Sequence, residues 1–233
     1  MRASELALAQ GLRDTHATIA EWRANRWKVL IGWTSLSLAI AITLLLAVAI
    51  LADKIQPDPT RLEVIGANVV PSLEFVGAIL FRNSLVLALH AFACVAGFIA
   101  GSSLPMQAER HSGIWRTIHE KAGPLAITFV VCATSFSLIT QAYILGSDTS
   151  TLTAQLGLPI DSFLLVTATH AIPELTALFL PLAAWIIASR RNQWNKLLAA
   201  TFVTVGIAIP VLILSAFGEV YFTPHLIQDL IRS

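Results

Sequence analysis

Long runs of apolar residues, separated by shorter polar segments, dominate the pattern of this chain. Five runs are each long enough to cross a hydrocarbon core of ~30 Å as an α-helix. They fall at about 29–52, 84–104, 124–145, 162–188 and 197–222. Because a bilayer core offers no water to backbone groups, a helix must satisfy them within its own segment. The pattern therefore predicts an all-α integral membrane protein with a bundle of about five transmembrane helices.

The N-terminal residues 1–28 differ from these runs because most of them are polar. Their apolar side chains fall near one helical face, with charged residues on the rest of the circumference. The apolar stripe consists of Leu8, Leu12, Ile19 and Trp22. This spacing predicts an amphipathic helix that lies on the membrane surface, followed by a single transmembrane domain over residues 29–233.

A shorter apolar segment precedes the second span. Residues 71–81 are too few to cross a bilayer, and Glu74 interrupts them. We therefore expect an interfacial or re-entrant helix here, separate from the span that follows. The third span contains Pro124 near its start, which is expected in the first helical turn because proline is tolerated there.

Composition supports a membrane protein and excludes several other classes. Hydrophobic residues make up 56% of the 233 residues and charged residues only 12%, whereas soluble domains carry roughly 25% charged residues. The formal net charge is +1, and because no basic groove is apparent, the expected partner is the bilayer and not nucleic acid. Cys94 and Cys132 both fall inside apolar runs, so we expect them to be small buried residues and not a disulfide framework or a metal site. No cofactor is expected.

Orientation follows from the distribution of lysine and arginine, which concentrate on the cytoplasmic side of membrane proteins. With the N-terminus inside, eleven of these residues are cytoplasmic and four are external. The cytoplasmic set is Arg2, Arg13, Arg23, Arg26, Lys28, Arg110, Arg116, Lys121, Arg190, Arg191 and Lys196. The external set is Lys54, Arg61, Arg82 and Arg232. This predicts a cytoplasmic N-terminus with the amphipathic segment, and an external C-terminus.

Five polar side chains within the spans are candidates for a site, because ionisable groups in a bilayer usually face the bundle interior. They are His90, Gln141, His170, Glu174 and Glu219. Depths counted from the predicted outer ends, at ~1.5 Å per residue, are ~9 Å for His90, ~12 Å for His170 and ~18 Å for Glu174. Gln141 and Glu219 lie roughly 5–7 Å deep. We therefore expect one polar cavity that opens outward, formed by His90, His170, Glu174 and Glu219.

Two interpretations of the His170 and Glu174 pair stay open. The residues are four apart and share one helical face, which fits a ligand, proton or metal site. A pair that satisfies itself between packed helices fits equally well. For His90 or Gln141 alone, a single hydrogen bond between helices is the simpler explanation. A zinc site built from the histidines and glutamates is conceivable from ligand chemistry, but no H-E-x-x-H motif supports it.

Small residues form a ridge on the second span. Gly97 and Gly101 constitute a G-x-x-x-G motif, which lets helix backbones approach closely. The ridge predicts a tight helix–helix contact at these two glycines. Either packing within the chain or a homodimer face would use it.

Three separated segments carry a resemblance to a known family. They begin at Phe81, His170 and Ser215 and read FRNSLVLA, HAIPELTA and SAFGEVYFTP. In order and content they resemble the stage II sporulation protein M family, with its H-G-x-x-E-L-x-A helix and a last span that ends A-x-x-E-x-x-x-x-P. The similarity covers roughly residues 75–225. Ala171 stands where the family has glycine, the usual N-G before the central loop is missing, and residues 105–122 look like an insertion.

The resemblance implies a multi-pass protein of the bacterial cytoplasmic membrane whose polar site includes His170, Glu174 and Glu219. It implies a non-enzymatic scaffold or regulator of envelope-remodelling partners, because the family's namesake works with peptidoglycan-degrading proteins. No catalytic residue is expected from it. The alternative is a transporter or channel for a small solute or ion that uses the outward-facing His/Glu cavity, since a helix broken near an acid is a feature of transporters. An intramembrane metalloenzyme is a third reading.

Overall fold

The computed structural model describes residues 7–58, 60, 71–103 and 112–232, with side chains described for 11–58, 60, 71–102, 112–114 and 121–232. Within these ranges the chain is helical and has no strand. The helices are α1 (Ala7–Lys54), α2 (Leu73–Phe98), α3 (Ile114–Leu156), α4 (Ile160–Arg190), α5 (Leu197–Phe217) and α6 (Thr223–Arg232). Two π-helical turns extend α2 and α5, at Ile99–Ser103 and Gly218–Phe222, and a 3-10 turn, Trp194–Lys196, precedes α5.

Five helical segments are long and apolar enough to cross a membrane, which confirms the all-helical, five-span prediction at the level of length and composition. They are Gly11–Lys54, Leu73–Ser102, Lys121–Leu156, Ile160–Arg190 and Trp194–Arg232. Large apolar side chains cover the outside of the bundle; Phe129 and Phe136 of α3 are each 73% exposed. Such a surface is unfavourable in water and suits a hydrocarbon environment.

Helix α4 lies at the centre of the bundle and packs against α1, α2 and α5. In its most apolar 18-residue stretch 67% of the residues are buried, compared with 17% for α3, which packs mainly against α1. The core on α4 runs through Leu178, Phe179 and Leu182. The two polar sites described below lie on the same helix, one at each side of this core.

The N-terminal segment is helical and meets the first spanning helix across a kink at Asn25 (φ −124°, ψ 25°), so that α1 consists of two helices joined at this residue. Its inner face meets the bundle through small residues: Gly11 faces Phe98 and Leu198, and Thr18 is buried. Leu12, predicted in the buried stripe, is 54% exposed because Gly11 occupies the contact instead.

Two other members of the predicted stripe, Ile19 and Trp22, are half-buried, and Trp22 meets Trp33 edge to face at 5.1 Å between ring centroids. Residues 1–6 and the Leu8 side chain lie outside the described part of the chain.

The predicted interfacial helix over 71–81 is wrong as a separate element, because α2 begins at Leu73 and continues without a break to Phe98. The Oγ atom of Ser72 caps its start by accepting a hydrogen bond from Phe75 N at 3.4 Å. Glu74 does not interrupt the helix, since its side chain is exposed in the first turn. The acid there suits the positive end of the helix dipole.

Helix α3 also extends beyond the predicted span at both ends. Pro124 lies ten residues inside the helix and not in its first turn. Toward the other end, the polar residues after 145, predicted as a loop, remain helical until Gly157 ends the helix at φ 67°. They are buried against the segment after α1: Ser150 Oγ donates to Ile55 O at 2.7 Å, and Thr151 Oγ1 accepts from Asp58 N at 3.2 Å.

Candidate functional site

A partly open cavity of about 190 Å³ lies at one end of the bundle, between α1, α3, α4 and the junction of α5 with α6. Its apolar wall comes from α1, α3 and α4, including Val48, Leu152 and Phe163. Its polar groups come from α2, α3, α4 and the junction of α5 with α6. They are Arg82, Asp148, Thr149, Thr167, His170, Glu174, Glu219 and Thr223.

Helix α4 supplies the centre of this polar lining. Thr167, His170 and Glu174 follow one another at spacings of three and four residues, which places them on one face of the helix. Pro173, next to Glu174, has no N–H to donate to the carbonyl four residues earlier, so the backbone hydrogen bonding of α4 is interrupted beside the acid. The helix therefore brings a histidine and a carboxyl to the cavity at a point where its backbone is irregular.

The junction of α5 and α6 supplies the opposite side. The π-helical turn Gly218–Phe222 carries Glu219, and Thr223 begins α6 directly after it. Thr223 Oγ1 lies 2.8 Å from His170 Nδ1 and also donates to Gly218 O at 3.3 Å. When the threonine donates to the carbonyl, its oxygen accepts a hydrogen bond from a protonated Nδ1. This pair of contacts ties α6 to α4 and fixes the orientation of the imidazole.

Glu174 is the most buried acid of the site, with 7% of its surface exposed. The guanidinium of Arg82 interacts electrostatically with both Glu174 and Glu219, and the two carboxyls also interact with each other. Asn83 is close enough to Glu174 to interact with it. Within the described ranges, however, neither Asn83 Nδ2 nor Glu174 Oε2 makes a hydrogen bond of normal geometry, although both atoms are buried. Unsatisfied buried polar atoms are rare in folded proteins and call for a functional or structural reason.

Three of the five predicted site residues thus meet at this cavity: His170, Glu174 and Glu219. His90 does not join them. Because α2 begins at Leu73, His90 lies 17 residues along the helix, which is ~25 Å from its start and not the ~9 Å predicted.

His90 is completely buried in the apolar core, where it meets Phe179 edge to face at 5.3 Å between ring centroids. The backbone of Leu178 lies near its ring, but neither ring nitrogen makes a hydrogen bond of normal geometry within the described part of the chain.

Gln141 also lies outside the cavity. Its Nε2 donates to Ser137 Oγ at 3.0 Å, one turn earlier on the same helix. A hydrogen bond from Gln141 to another helix was one interpretation of the sequence. The bond that the glutamine makes lies within α3 instead.

The residues that sequence reasoning missed are Arg82, Asn83, Asp148, Thr167 and Thr223. Arg82 and Asn83 fell in the gap between a supposed interfacial helix and a supposed span. Asp148 fell in a supposed loop. Asn83 had two usable signals. It lies in the FRNSLVLA segment that carries the resemblance, and it precedes His90 by seven residues and so shares its buried helical face.

No metal site can be built from the residues that the structure describes, because no three His, Cys, Asp or Glu side chains among them converge to share an ion. The zinc ligand set considered from the sequence is not assembled, since His90 lies in the core. The Gly97 and Gly101 ridge faces its own chain: a Cβ on Gly97 would meet Trp185 and Leu197, and one on Gly101 would meet Trp194. This face is therefore not available to a second copy.

No protein family model, curated protein or solved structure matches the chain. The resemblance to the stage II sporulation protein M family consequently stays an expectation from three sequence segments.

Proposed function

We propose that this chain is a multi-pass membrane protein that binds a small solute with a cationic or hydrogen-bond-donating end in the His170–Glu174–Glu219 cavity and moves it through the membrane. The observation that carries the proposal is Glu174, a nearly buried carboxyl in a partly open cavity, one oxygen of which has no hydrogen-bond partner among the residues that the structure describes. A bound donor would supply the missing hydrogen bond.

The composition of the lining defines the ligand. Among the described lining residues, the carboxyls of Glu174 and Glu219 outnumber the guanidinium of Arg82, so this part of the cavity is net negative when both carboxyls are ionised. Its remaining wall is largely aliphatic and aromatic. A small molecule with an amine, guanidine or similar donor at one end and an apolar body matches both features. An inorganic cation would contact only the carboxyl groups and would leave the apolar wall without a partner.

Movement of the solute is supported by irregular backbone beside the acids. Glu219 lies in a π-helical turn and Glu174 follows Pro173, and such interruptions occur frequently at functional sites. Beyond Leu175, the core around Leu178 and Phe179 blocks the way. Transport therefore requires a second conformation in which this layer opens, with the interrupted helices as the places where α4 and α5 bend.

A scaffold of envelope-remodelling partners in the bacterial cytoplasmic membrane is the second proposal. It rests on the resemblance, and one observation favours it: the two family-like segments that contain His170, Glu174 and Glu219 meet in space at the cavity. In this function the cavity would receive a partner's side chain. The N-terminus would lie inside and the C-terminus outside, as the charge distribution predicts.

The decisive experiment measures thermal unfolding of the purified protein in detergent with butylammonium, butylguanidinium or sodium ions, and with butanol and butyrate as uncharged and anionic counterparts. A ligand that binds only the folded state raises the melting temperature. We expect the melting temperature to rise with the cations and to stay unchanged with butanol and butyrate. Glu174→Gln and Glu219→Gln should abolish the rise, and Glu74→Gln should retain it because the exposed Glu74 lies outside the cavity.

Uptake of labelled butylguanidinium into proteoliposomes then separates transport from binding. Accumulation that depends on Glu174 supports a transporter, and binding without uptake favours a receptor or scaffold. If no cationic compound stabilises the wild type, or if Glu74→Gln loses the effect equally, the proposed solute site is wrong.

A further inference from the structure

A second cavity, of about 220 Å³, lies at the other end of the bundle, between the bend of α1 and the connection from α4 to α5. Its lining begins at Ala184 on α4 and continues to Arg191, directly after the end of that helix. Arg191 is 17 residues beyond Glu174, or ~25 Å along the helix. The apolar core lies between the two cavities, so this cleft is independent of the His/Glu cavity and of the function proposed for it.

The charge of the second cavity is opposite to that of the first. Lys28, Arg191 and Lys196 line it, with Glu21 as the one acid. Glu21 is already engaged, because its carboxylate pairs with Lys196 Nζ at 2.8 Å and 3.0 Å. Lys28 and Arg191 make no ion pair within the described ranges of the chain. The cleft therefore presents two uncompensated cations from different helices.

The wall beside these cations is apolar and open. Trp22 and Trp33 pack edge to face across the bend of α1, and Gly32 leaves room, since a Cβ there would reach only Ile187 at 3.9 Å. Tryptophan side chains favour the level of lipid headgroups. By the distribution of lysine and arginine this end faces the cytoplasm, where the membrane leaflet is rich in anionic lipid.

We propose that this cleft binds the headgroup of an anionic phospholipid, with the phosphate between Lys28 and Arg191 and an acyl chain along Trp33 and Ile187. A guanidinium donates two parallel hydrogen bonds to phosphate oxygens, and the ammonium of Lys28 supplies a second charge. Asn25 and Gln193, which also line the cleft, offer amides to the rest of the headgroup. The apolar wall selects a lipid over a free anion, because a free phosphate gains nothing from it.

The test measures stabilisation of the detergent-solubilised protein by phosphatidylglycerol, with phosphatidylcholine and inorganic phosphate as the other two arms. Only phosphatidylglycerol should raise the melting temperature. Lys28→Gln and Arg191→Gln should each weaken its apparent affinity by about five-fold, since a basic residue near a membrane contributes about that factor. Arg190→Gln removes the same charge from the neighbouring, exposed position and should leave the affinity unchanged. Arg191→Lys should retain part of it.

Each other outcome overturns the proposal. Equal stabilisation by phosphatidylcholine would show that the cleft does not recognise the phosphate charge. Stabilisation by inorganic phosphate, lost in Arg191→Gln, would make the site a soluble-anion site. A loss in Arg190→Gln as large as that in Arg191→Gln would show general attraction to a basic surface. The four variants alter exposed side chains, and circular dichroism checks that each one keeps its helix content.

Discussion

The two ends of this bundle hold cavities of similar volume but opposite chemistry. At one end, His170, Glu174 and Glu219 meet beside irregular helical turns, and one oxygen of the buried Glu174 has no hydrogen-bond partner in the part of the chain that the structure describes. At the other end, Lys28 and Arg191 line a cleft beside tryptophans, and its acid is paired. The first arrangement fits recognition of a cationic group inside the bundle. The second fits contact with an anionic surface around it.

The layer between the cavities explains why they act as separate sites. Leu178, Phe179 and Leu182 of the central helix are almost fully buried and pack with Leu44 of α1. Among the described residues around this layer, His90 and Cys94 are ionisable side chains that are completely buried. A close-packed apolar layer excludes water and holds the helices in register. The comparison therefore predicts that stability depends on the middle of the bundle and ligand specificity on its ends.

The largest expected effect is in this middle layer. Phe179→Ala removes a side chain with 0% exposure, and truncation of a buried phenylalanine costs about 3–5 kcal/mol. Phe136→Ala removes a phenylalanine that is 73% exposed and should cost much less. Reversible unfolding in mixed micelles measures both. Equal losses would show that burial within the bundle does not determine its stability.

Glycines on α2 give the next largest effect, with opposite signs. A Cβ on Gly97 would lie 2.6 Å from Trp185 Nε1 and 2.8 Å from Leu197 Cδ1, so Gly97→Ala should destabilise the protein by about 1–3 kcal/mol through overpacking. Gly77 has no atom within 4 Å of that position. Gly77→Ala should stabilise by up to about 1 kcal/mol because alanine favours the helix. The melting temperatures should move in opposite directions; stabilisation by both changes would contradict the packing described here.

A smaller effect is expected where α6 closes the acidic cavity. Thr223→Val keeps the shape and removes the 2.8 Å contact with His170 Nδ1, and hydrogen bonds between membrane helices contribute about 1 kcal/mol. Thr43→Val removes an exposed hydroxyl that donates to the carbonyl of Ala39 in its own helix. Amide exchange should accelerate in α6 for Thr223→Val alone. Unchanged exchange in α6 would mean that this contact does not hold the helix.

The smallest effect is at the basic end. The Lys196 and Glu21 pair lies at the surface, with side chains 21% and 62% exposed, and such pairs contribute less than about 1 kcal/mol. A double-mutant cycle with Lys196→Gln and Glu21→Gln measures the coupling free energy. It should fall further as salt is added, because exposed charges are screened. A coupling free energy of several kcal/mol would show that the pair contributes strongly to the stability of the fold.

Apolar run length predicted the number of spanning helices but not their ends. Helix α2 begins eleven residues before its predicted span because both charged side chains are tolerated in it. Glu74 is exposed in the first turn and Arg82 lines the open cavity, while the inner face of the helix holds Val76 and Asn83. Helix α3 continues past 145 because Ser150 and other hydroxyls bond to the segment after α1. A hydropathy pattern predicts neither of these two helix ends, because both depend on how the helix packs against other segments of the chain.

The candidate site was predictable where it depended on spacing within one helix. His170 and Glu174 share a face at any helix length, whereas the depth of His90 depended on where α2 begins. Arg82 and Thr223 could not be assigned from the pattern, because their roles arise when α2 and α6 pack against α4. Glu219 lies at the cavity in a π-helical turn, and no feature of the sequence pattern predicted that turn.

The central claim is that His170, Glu174 and Glu219 form an acidic cavity that solutes enter from one side. Its most direct test places a cysteine at Thr167, on the cavity wall, in a Cys132→Ser background, where the remaining Cys94 is buried. Impermeant cationic and anionic thiol reagents are then added to either side of sealed vesicles.

We predict that the cationic reagent modifies the cysteine faster than the anionic one, and only from the side opposite to the one that labels Ser112→Cys. The ratio of the two rates should fall toward one in Glu174→Gln and Glu219→Gln. No modification, access from both sides or a preference for the anionic reagent would contradict the account.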